Sequence, residues 1–459
     1  MNIKRIFSLW LSTMMMLSIV ACNASTPSEE ASSEASAESN GGAKDADEKT
    51  EGDAASKDTT SGESEKFIFW DKSEYVKGYN DMMQEKVRQF TEKTGIEVEY
   101  VIIPSNDQKQ KLMAAIEATN PPDLFVSDDM LCAQFVAMDQ IANVSDVLAT
   151  MDLTDSGKEL SKLNNEEVLV PLAMLAPGCY WRKDLWEAKG LDMPKTWQDM
   201  KDDAAVITDP ANGIYALGMP MGASGGGDAE SFVRSLILSY GGVPVNETGE
   251  VTVNSPETLE ALKFAASIYQ DKVAPPDAIT WDDGGNNSAY LAGTVGIVLN
   301  SGSVWSALKE ENPDLLAKTE IIPYPAGPSG KAFVPGGSNT FAIFKNGQNP
   351  DAAKEFIKFF FEDLEHYNTM IEGMGGMWQP VINGMDDTDF WKDPINAGWM
   401  ANSKNVVRNF HPAPADEKAN LTFANQLCVK AVQNIVVNDM DPQTALDQLE
   451  KDFKEIYEG

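Results

Sequence analysis

From Lys66 onward the chain alternates between two hydrophobic rhythms. "KFIFW", residues 66–70, is a continuous apolar run, the pattern of a strand covered on both faces. Tyr79, Met83, Val87 and Phe90 follow at helical spacing and form one stripe, which Thr94-Gly95 stops. "IEVEYVII", residues 96–103, opens as an alternating strand and ends at Pro104. Leu112, Ile116 and Thr119 mark a second helix, broken by Asn120-Pro121-Pro122 ahead of the short buried strand "DLFV". Strands alternating with helices predict an α/β chain built on doubly wound sheets. Such sheets take ligand beyond the carboxyl ends of their strands. That rule makes Trp70-Asp71, after the first strand, and Asp128-Asp129, after the third, candidate binding residues. A helix N-cap is the plain alternative for the second pair.

Ahead of Lys66 the rhythm is different. Lys4 and Arg5 precede the apolar or small run "IFSLWLSTMMMLSIVA", residues 6–21. It is short for a membrane span and ends in small residues, as an export signal does. It closes on Ile19-Val20-Ala21-Cys22, which resembles the lipobox of bacterial lipoproteins. The resemblance implies cleavage before Cys22 and lipidation of its sulfur, hence a place on the outer face of the cell membrane, or on its periplasmic side in a double envelope. Residues 23–65 carry no aromatic and no large aliphatic side chain, and cannot bury enough apolar surface to offset their ordering entropy. Residues 1–21 therefore read as a signal peptide, and 22–65 as a lipidated cysteine with a disordered acidic tether.

Charge narrows the partners. Of 36 basic and 71 acidic residues, 31 and 59 lie after Glu65, a net charge near −28 for the region expected to fold. That disfavours nucleic acid and anionic membrane surfaces, leaving the lipid anchor as the membrane contact. The three cysteines there, Cys132, Cys179 and Cys428, lack metal-site or CxxC spacing and read as buried free thiols, with one disulfide among them as the alternative. A cofactor, a metal or a phosphate loop is not expected. "GASGG", residues 222–226, fits the G-x-S-x-G pattern around Ser224, but a serine hydrolase also needs a histidine base, and the only histidines are His411 and His366, the latter within "AAKEFIKFFFEDLEHY", read as one helix. Catalysis is not expected.

"FWDKSEYVKGYNDMMQEKVRQFTEKTGIEVEY", "NPPDLFVSDD" and "VPLAMLAPGCYWRKDLWEAKGLDMPKTWQDM" together resemble the extracellular solute-binding proteins of ABC importers, in the sugar-binding group around maltose-binding protein. "YLAGTVGIVLNSGSVW" and "VPGGSNTFAIFKNGQNPDAAKEFIKFFF" continue the resemblance in order, so that it spans nearly all of 66–459. One departure is Trp181-Arg182, where the family usually has Tyr-Asn. The resemblance implies a two-lobed clamshell with three interlobe crossings, placed near 176–178, 324–330 and 373–376. Residues 66–177 and 325–373 then form the N-terminal lobe, and 178–324 with 374–459 the C-terminal lobe. It also implies a carbohydrate ligand, an oligosaccharide, delivered by a monomer to permease subunits served by a separate ATPase. A binding protein for another solute, a sugar sensor and a secreted hydrolase are the alternatives.

Sugars present C–H faces and paired hydroxyls, so they call for aromatic plates beside planar Asp and Asn groups. Trp281-Asp282-Asp283 with Asn286-Asn287 supplies both, across Gly284-Gly285. A helix N-terminal loop with a packed tryptophan is the structural alternative. Asn300 ends the strand "IVLN", and Trp305 beyond it is a candidate to overhang the cleft, with capping of the core as the alternative. Gly337 and Ser338 in "PGGSN", ahead of the strand "TFAIF", and Trp378 after the third crossing complete the ligand set, a tight turn being the plain alternative for "PGGSN". Trp186, Trp197, Trp391 and Trp399 are assigned to packing.

Overall fold

The computed structural model describes residues 66–459, apart from Tyr75, Lys77, Ser224, Gly225 and Gly226. The expected signal peptide, Cys22 and tether therefore lie outside the described residues, as does the serine of the G-x-S-x-G pattern.

Twelve strands are assigned among the described residues: β1 (Lys66–Lys72), β2 (Glu97–Ile103), β3 (Leu124–Asp128), the two-residue β4 (Lys162–Leu163) and β5 (Glu166–Glu167), β6 (Val170–Leu175), β7 (Gly178–Arg182), β8 (Tyr215–Leu217), β9 (Val295–Asn300), β10 (Thr319–Ile322), β11 (Val334–Ile343) and β12 (Val406–Arg408). β4 and β5 pair only with each other. The others form two mixed sheets. The first runs β12-β11-β3-β1-β2 with β6 also on β11, and the second β10-β7-β9-β8. β1 lies parallel to β2 in unbroken register from Lys66↔Glu97 to Lys72↔Ile103. β11 runs antiparallel to β3 and β6.

The first three strands and two helices follow the sequence pattern. The helix Tyr79–Thr94 buries Tyr79, Met83, Val87 and Phe90, and Gly95 closes it at φ 79°, a left-handed conformation open to glycine at little cost. Its Phe90 meets Phe356 of the helix Pro350–Glu362 at 5.4 Å between ring centroids, and Phe356 reaches Phe67 and Phe69 of β1 at 5.8 and 5.5 Å. Edge and tilted aromatic contacts of this kind add about 0.5–1.5 kcal/mol each beyond area burial, and they fix both helices on one face of the first sheet. β1 is not covered equally: Phe67, Phe69 and Asp71 are buried, whereas Ile68 and Trp70 on the other face are half-buried. In the second sheet both faces are covered, so Tyr180 and Trp181 of β7 are buried in two different clusters. Trp186, Trp197, Trp391 and Trp399 are core residues, and Cys132, Cys179 and Cys428 are free and buried.

Two local expectations are corrected. "PGGSN" is not a turn ahead of a strand but part of β11. A Cβ on Gly336 would strike the carbonyl oxygen of Leu175, and one on Gly337 would strike the Asp129 carboxylate, so both glycines serve close approach rather than a turn. "AAKEFIKFFFEDLEHY" is two helices, Pro350–Glu362 and Leu364–Gly373, because Asp363 leaves helical geometry and accepts the His366 amide at 3.0 Å.

The chain passes from the first sheet to the second at Ala176-Pro177, between β6 and β7, and returns between β10 and β11. The third region is less simple than a boundary at Gly373 suggests. Gln379 and Ile382 bridge to Met174 and Leu153, and β12 pairs with β11, so these parts of 374–459 stay with the first sheet. Two buried amides lace the passages together. Gln379 accepts the Ala176 amide at 2.9 Å and donates to the Gly376 carbonyl at 2.6 Å. Asn402 accepts the Tyr324 amide at 2.8 Å and donates to the Ile322 and Pro177 carbonyls at 3.2 and 3.4 Å.

Candidate functional site

A cavity of about 830 Å³ lies between the two sheets. One wall comes from the carboxyl end of β1, with Lys72, Glu74 and Val76, and from Pro335 and Asn339 of β11. The opposite wall holds Asp228, Asn300 and Ser303; Leu175 to Pro177 and Tyr324 belong to the passages. Met374, Met377 and Trp378 close the side. The location obeys the rule that open α/β sheets take ligand at the carboxyl ends of their strands.

The first wall carries a compact polar group. Lys72 Nζ meets Glu74 at 3.0 Å with both side chains largely buried, and Asn339 Nδ2 donates to Glu74 Oε1 at 3.2 Å. That bond fixes the Asn339 amide, whose oxygen is then left without a partner among the described residues although Asn339 is 1% exposed. A buried polar oxygen in that state costs roughly 1–3 kcal/mol until something donates to it. The second wall is an amide web: Asn286 and Asn300 each donate to Asp228 Oδ2 at 3.0 Å, Asn300 also donates to Asn287, and Ser303 donates to Asn300 Oδ1 at 3.0 Å. Asp283 holds Asp228 in place by accepting the amides of Gly227 and Asp228 at 2.9 and 3.0 Å, at the start of the helix Asp228–Tyr240.

Of the residues proposed from sequence, Asn300 and Trp378 line the cavity. Trp378 is packed edge-on against Tyr79, 5.0 Å between centroids. The others are placed elsewhere. Trp70 packs beside the Leu112 and Phe125 cluster. Asp128 caps the helix Asp129–Ala137, accepting the Leu131 amide at 2.9 Å, and Asp282 caps Asp283–Leu291 through the Gly284 amide at 3.0 Å. Asp129 is a buried ion-pair partner of Arg408, 2.7 Å, with Gly337 against it. Ser338 is fully buried in β11. Trp281 lies under Gly285, where a Cβ would collide with it. Trp305 does not overhang the cleft: the helix Gly302–Glu311 begins directly after β9 and turns its ring into the core, 1% exposed.

Asp71 shows why the first strand misled. Its oxygens accept Tyr100 Oη at 2.7 Å, Tyr79 Oη at 3.2 Å and the Lys72 amide at 2.8 Å, all inside the fold. The apolar run ends at Trp70, but β1 continues to Lys72. The cavity-facing residues are therefore Lys72 and Glu74, one alternation further along. Burial pushes the Asp71 carboxyl up to about 7, against the lowering effect of the Tyr100 hydrogen bond. A carboxyl raised in the fold contributes stability that is present below about pH 4 and lost as pH rises through about 7. Asp71→Asn is therefore expected to gain on the parent chain between those limits, by at most about 4 kcal/mol for a shift near three units. Paired thermal melts across that range check this; a constant difference contradicts it.

Asp228, Met374 and Met377 were missed. Asp228 reads as the first residue of a helix, and the methionines as neighbours of a glycine-rich crossing; their meeting at one cavity is a tertiary fact.

The model of the bacterial extracellular solute-binding proteins matches residues 72–363 of the chain. A Brucella abortus protein named as a binding protein is 26% identical over 280 residues, 59% of this chain and 66% of that protein, so the chain spans slightly under two thirds of that relative's length. The maltotriose-binding protein of Pyrococcus abyssi is 23% identical over 312 residues, 66% of this chain and 64% of that one. Among solved structures, the sugar-binding protein MalE from Xanthomonas citri superposes with a TM-score of 0.73 at 18% identity, over 86% of this chain and 97% of that one. At that identity the superposition speaks for the two-lobed fold.

Proposed function

The chain belongs to the bacterial extracellular solute-binding proteins, and from that premise we propose that it captures a carbohydrate, an oligosaccharide, between its lobes and delivers it to an ABC permease. The observation that carries this reading is the interlobe cavity itself. Its volume of about 830 Å³ falls within the roughly 300–1,000 Å³ of small-ligand sites. Its walls combine apolar surface from Trp378, Tyr324 and two methionines with planar amide and carboxylate groups from both lobes. The maltotriose and sugar ligands in the relatives' names support the same class. Ligand that touches both walls favours the closed arrangement by the difference between its affinities for the two states, and the permease reads that closed form. In this reading Cys22 anchors the chain through its lipid, the 22–65 tether gives it reach, the protein acts as a monomer, and a separate subunit supplies ATP hydrolysis.

The test is tryptophan fluorescence and thermal melting of the full chain against a panel of oligosaccharides. A ligand at a hundred times its Kd is expected to add about 2.7 kcal/mol of stability. The response saturates for one sugar class and is lost in Trp378→Ala. A panel of sugars without effect, beside a melting shift from peptides or organic anions, would sink the carbohydrate assignment and leave the fold standing.

A further inference from the structure

We propose that Asp228 forms an ammonium-accepting subsite and that the ligand is an amino-bearing carbohydrate whose free amine sits against this carboxylate. The inference rests on the carbohydrate reading and refines it.

Three observations carry it. First, Asp228 is a carboxylate in the cavity wall with one oxygen used and one open. Oδ2 receives the amides of Asn286 and Asn300, while Oδ1 has no hydrogen-bond partner among the described residues. The two amides lock the plane of the carboxylate, so that Oδ1 is presented in one orientation, as a preorganised acceptor should be.

Second, its surroundings lack the cation that normally accompanies a part-buried carboxylate. Among the described residues Asp228 has no salt bridge, and its charged neighbour is a second acid, Asp283. The amides at the start of its helix, which would otherwise favour an anion, already donate to Asp283. Lys72, across the cavity, is committed to Glu74. Burial and then Asp283 push the Asp228 carboxyl up to about 7, the cost of a negative charge left without compensation. A ligand ammonium removes that cost, whereas a hydroxyl only hydrogen-bonds.

Third, the opposite wall also asks for a donor. Asn339 lines the same cavity and is 1% exposed, and among the described residues its oxygen has no partner, because Glu74 holds the amide nitrogen. These two open oxygens, one on each wall, are acceptors, so the ligand must bring hydrogens to both.

The experiment is calorimetric titration of the full chain near pH 7.5 with matched disaccharides in which one ring carries a hydroxyl, a free amine, an N-acetylated amine or a carboxylate, each in α- and β-1,4 linkage. The free amine is expected to bind about tenfold to a hundredfold more tightly than its hydroxyl and N-acetyl counterparts, the range for a hydrogen bond to a charged group, and the carboxylate most weakly. Asp228→Asn collapses the amine preference to about one. Equal or weaker binding of the amine, tighter binding of the carboxylate, or a preference that survives in Asp228→Asn overturns the proposal while leaving carbohydrate capture intact. Silence from every sugar overturns both. The ranking on the parent chain decides the matter even if the variant misfolds.

Discussion

Glu230→Ala is expected to lower the free energy of unfolding by about 3–5 kcal/mol, the range for removing one partner of a buried ion pair. Glu230 is fully buried on the helix Asp228–Tyr240 and meets Arg234 Nε at 2.8 Å one turn on. Its two oxygens also accept the amides of Cys428 and Val429 at 3.3 and 3.0 Å, at the start of the helix Leu427–Val437. Arg234 in turn donates to the Asn409 carbonyl and to Thr422 Oγ1, both at 3.1 Å. One carboxylate thus neutralises a buried guanidinium and satisfies the first amides of a neighbouring helix. Its removal strands all of them without water. Urea unfolding should show a lower midpoint at unchanged slope. Replacing both residues with apolar side chains of similar volume should recover much of the loss, since a well-packed apolar pair avoids the desolvation cost. A loss under about 1 kcal/mol in the single variant would mean that Arg234 reaches water, and the burial argument would fail.

Gly398→Ala is expected to cost about 3 kcal/mol, at the upper end of overpacking penalties, because the atom that blocks the new methyl is backbone and cannot rotate away. Gly398 lies on the helix Pro394–Ser403, which packs on β10 so closely that a Cβ would sit inside the contact distance of the Ile321 carbonyl oxygen. The helix must shift, and it carries Asn402, whose three hydrogen bonds tie Pro177 to Ile322 and Tyr324. Two interlobe passages lose a common clamp in the same step, so ligand affinity should weaken along with stability. Gly302→Ala makes the informative contrast. There the nearest obstructing atoms, Cγ and Sδ of Met377, can rotate aside, leaving only the Met377 Cβ at 2.8 Å to be relieved by a small shift. Melting temperatures of both variants, with the ligand titration repeated on each, separate the cases; equal losses of stability would contradict the distinction between backbone and side-chain obstruction.

What the sequence determined by itself is whatever is encoded locally. Stripe spacing and stop signals predicted the helix Tyr79–Thr94 and its end at Gly95, and alternation predicted β2. The ordered set of segments carried the family and with it the clamshell. Caps were also legible in principle: Asp128 and Asp282 precede helices and do what such residues do there. Sequence composition overrated them as ligand groups because a capping carboxylate and a sugar-binding carboxylate are the same residue type. The tryptophans misled for a related reason. Trp281 and Trp305 neighbour polar residues in the chain, but Trp281, in the extended link between Pro276–Thr280 and Asp283–Leu291, packs under Gly285, and the face of Gly302–Glu311 that bears Trp305 turns inward.

Tertiary structure alone decided which polar groups meet. Asp228 and Asn300 stand 72 positions apart, and Glu74 and Asn339 stand 265 apart. Their pairing depends on how two sheets close around a cavity, which no periodicity records. The same holds for Gln379 and Asn402, single amides whose role exists only because three passages of chain run side by side. Local physics chooses helix or strand from neighbours in sequence; a binding site is assembled from neighbours in space, and here those come from every passage between the lobes.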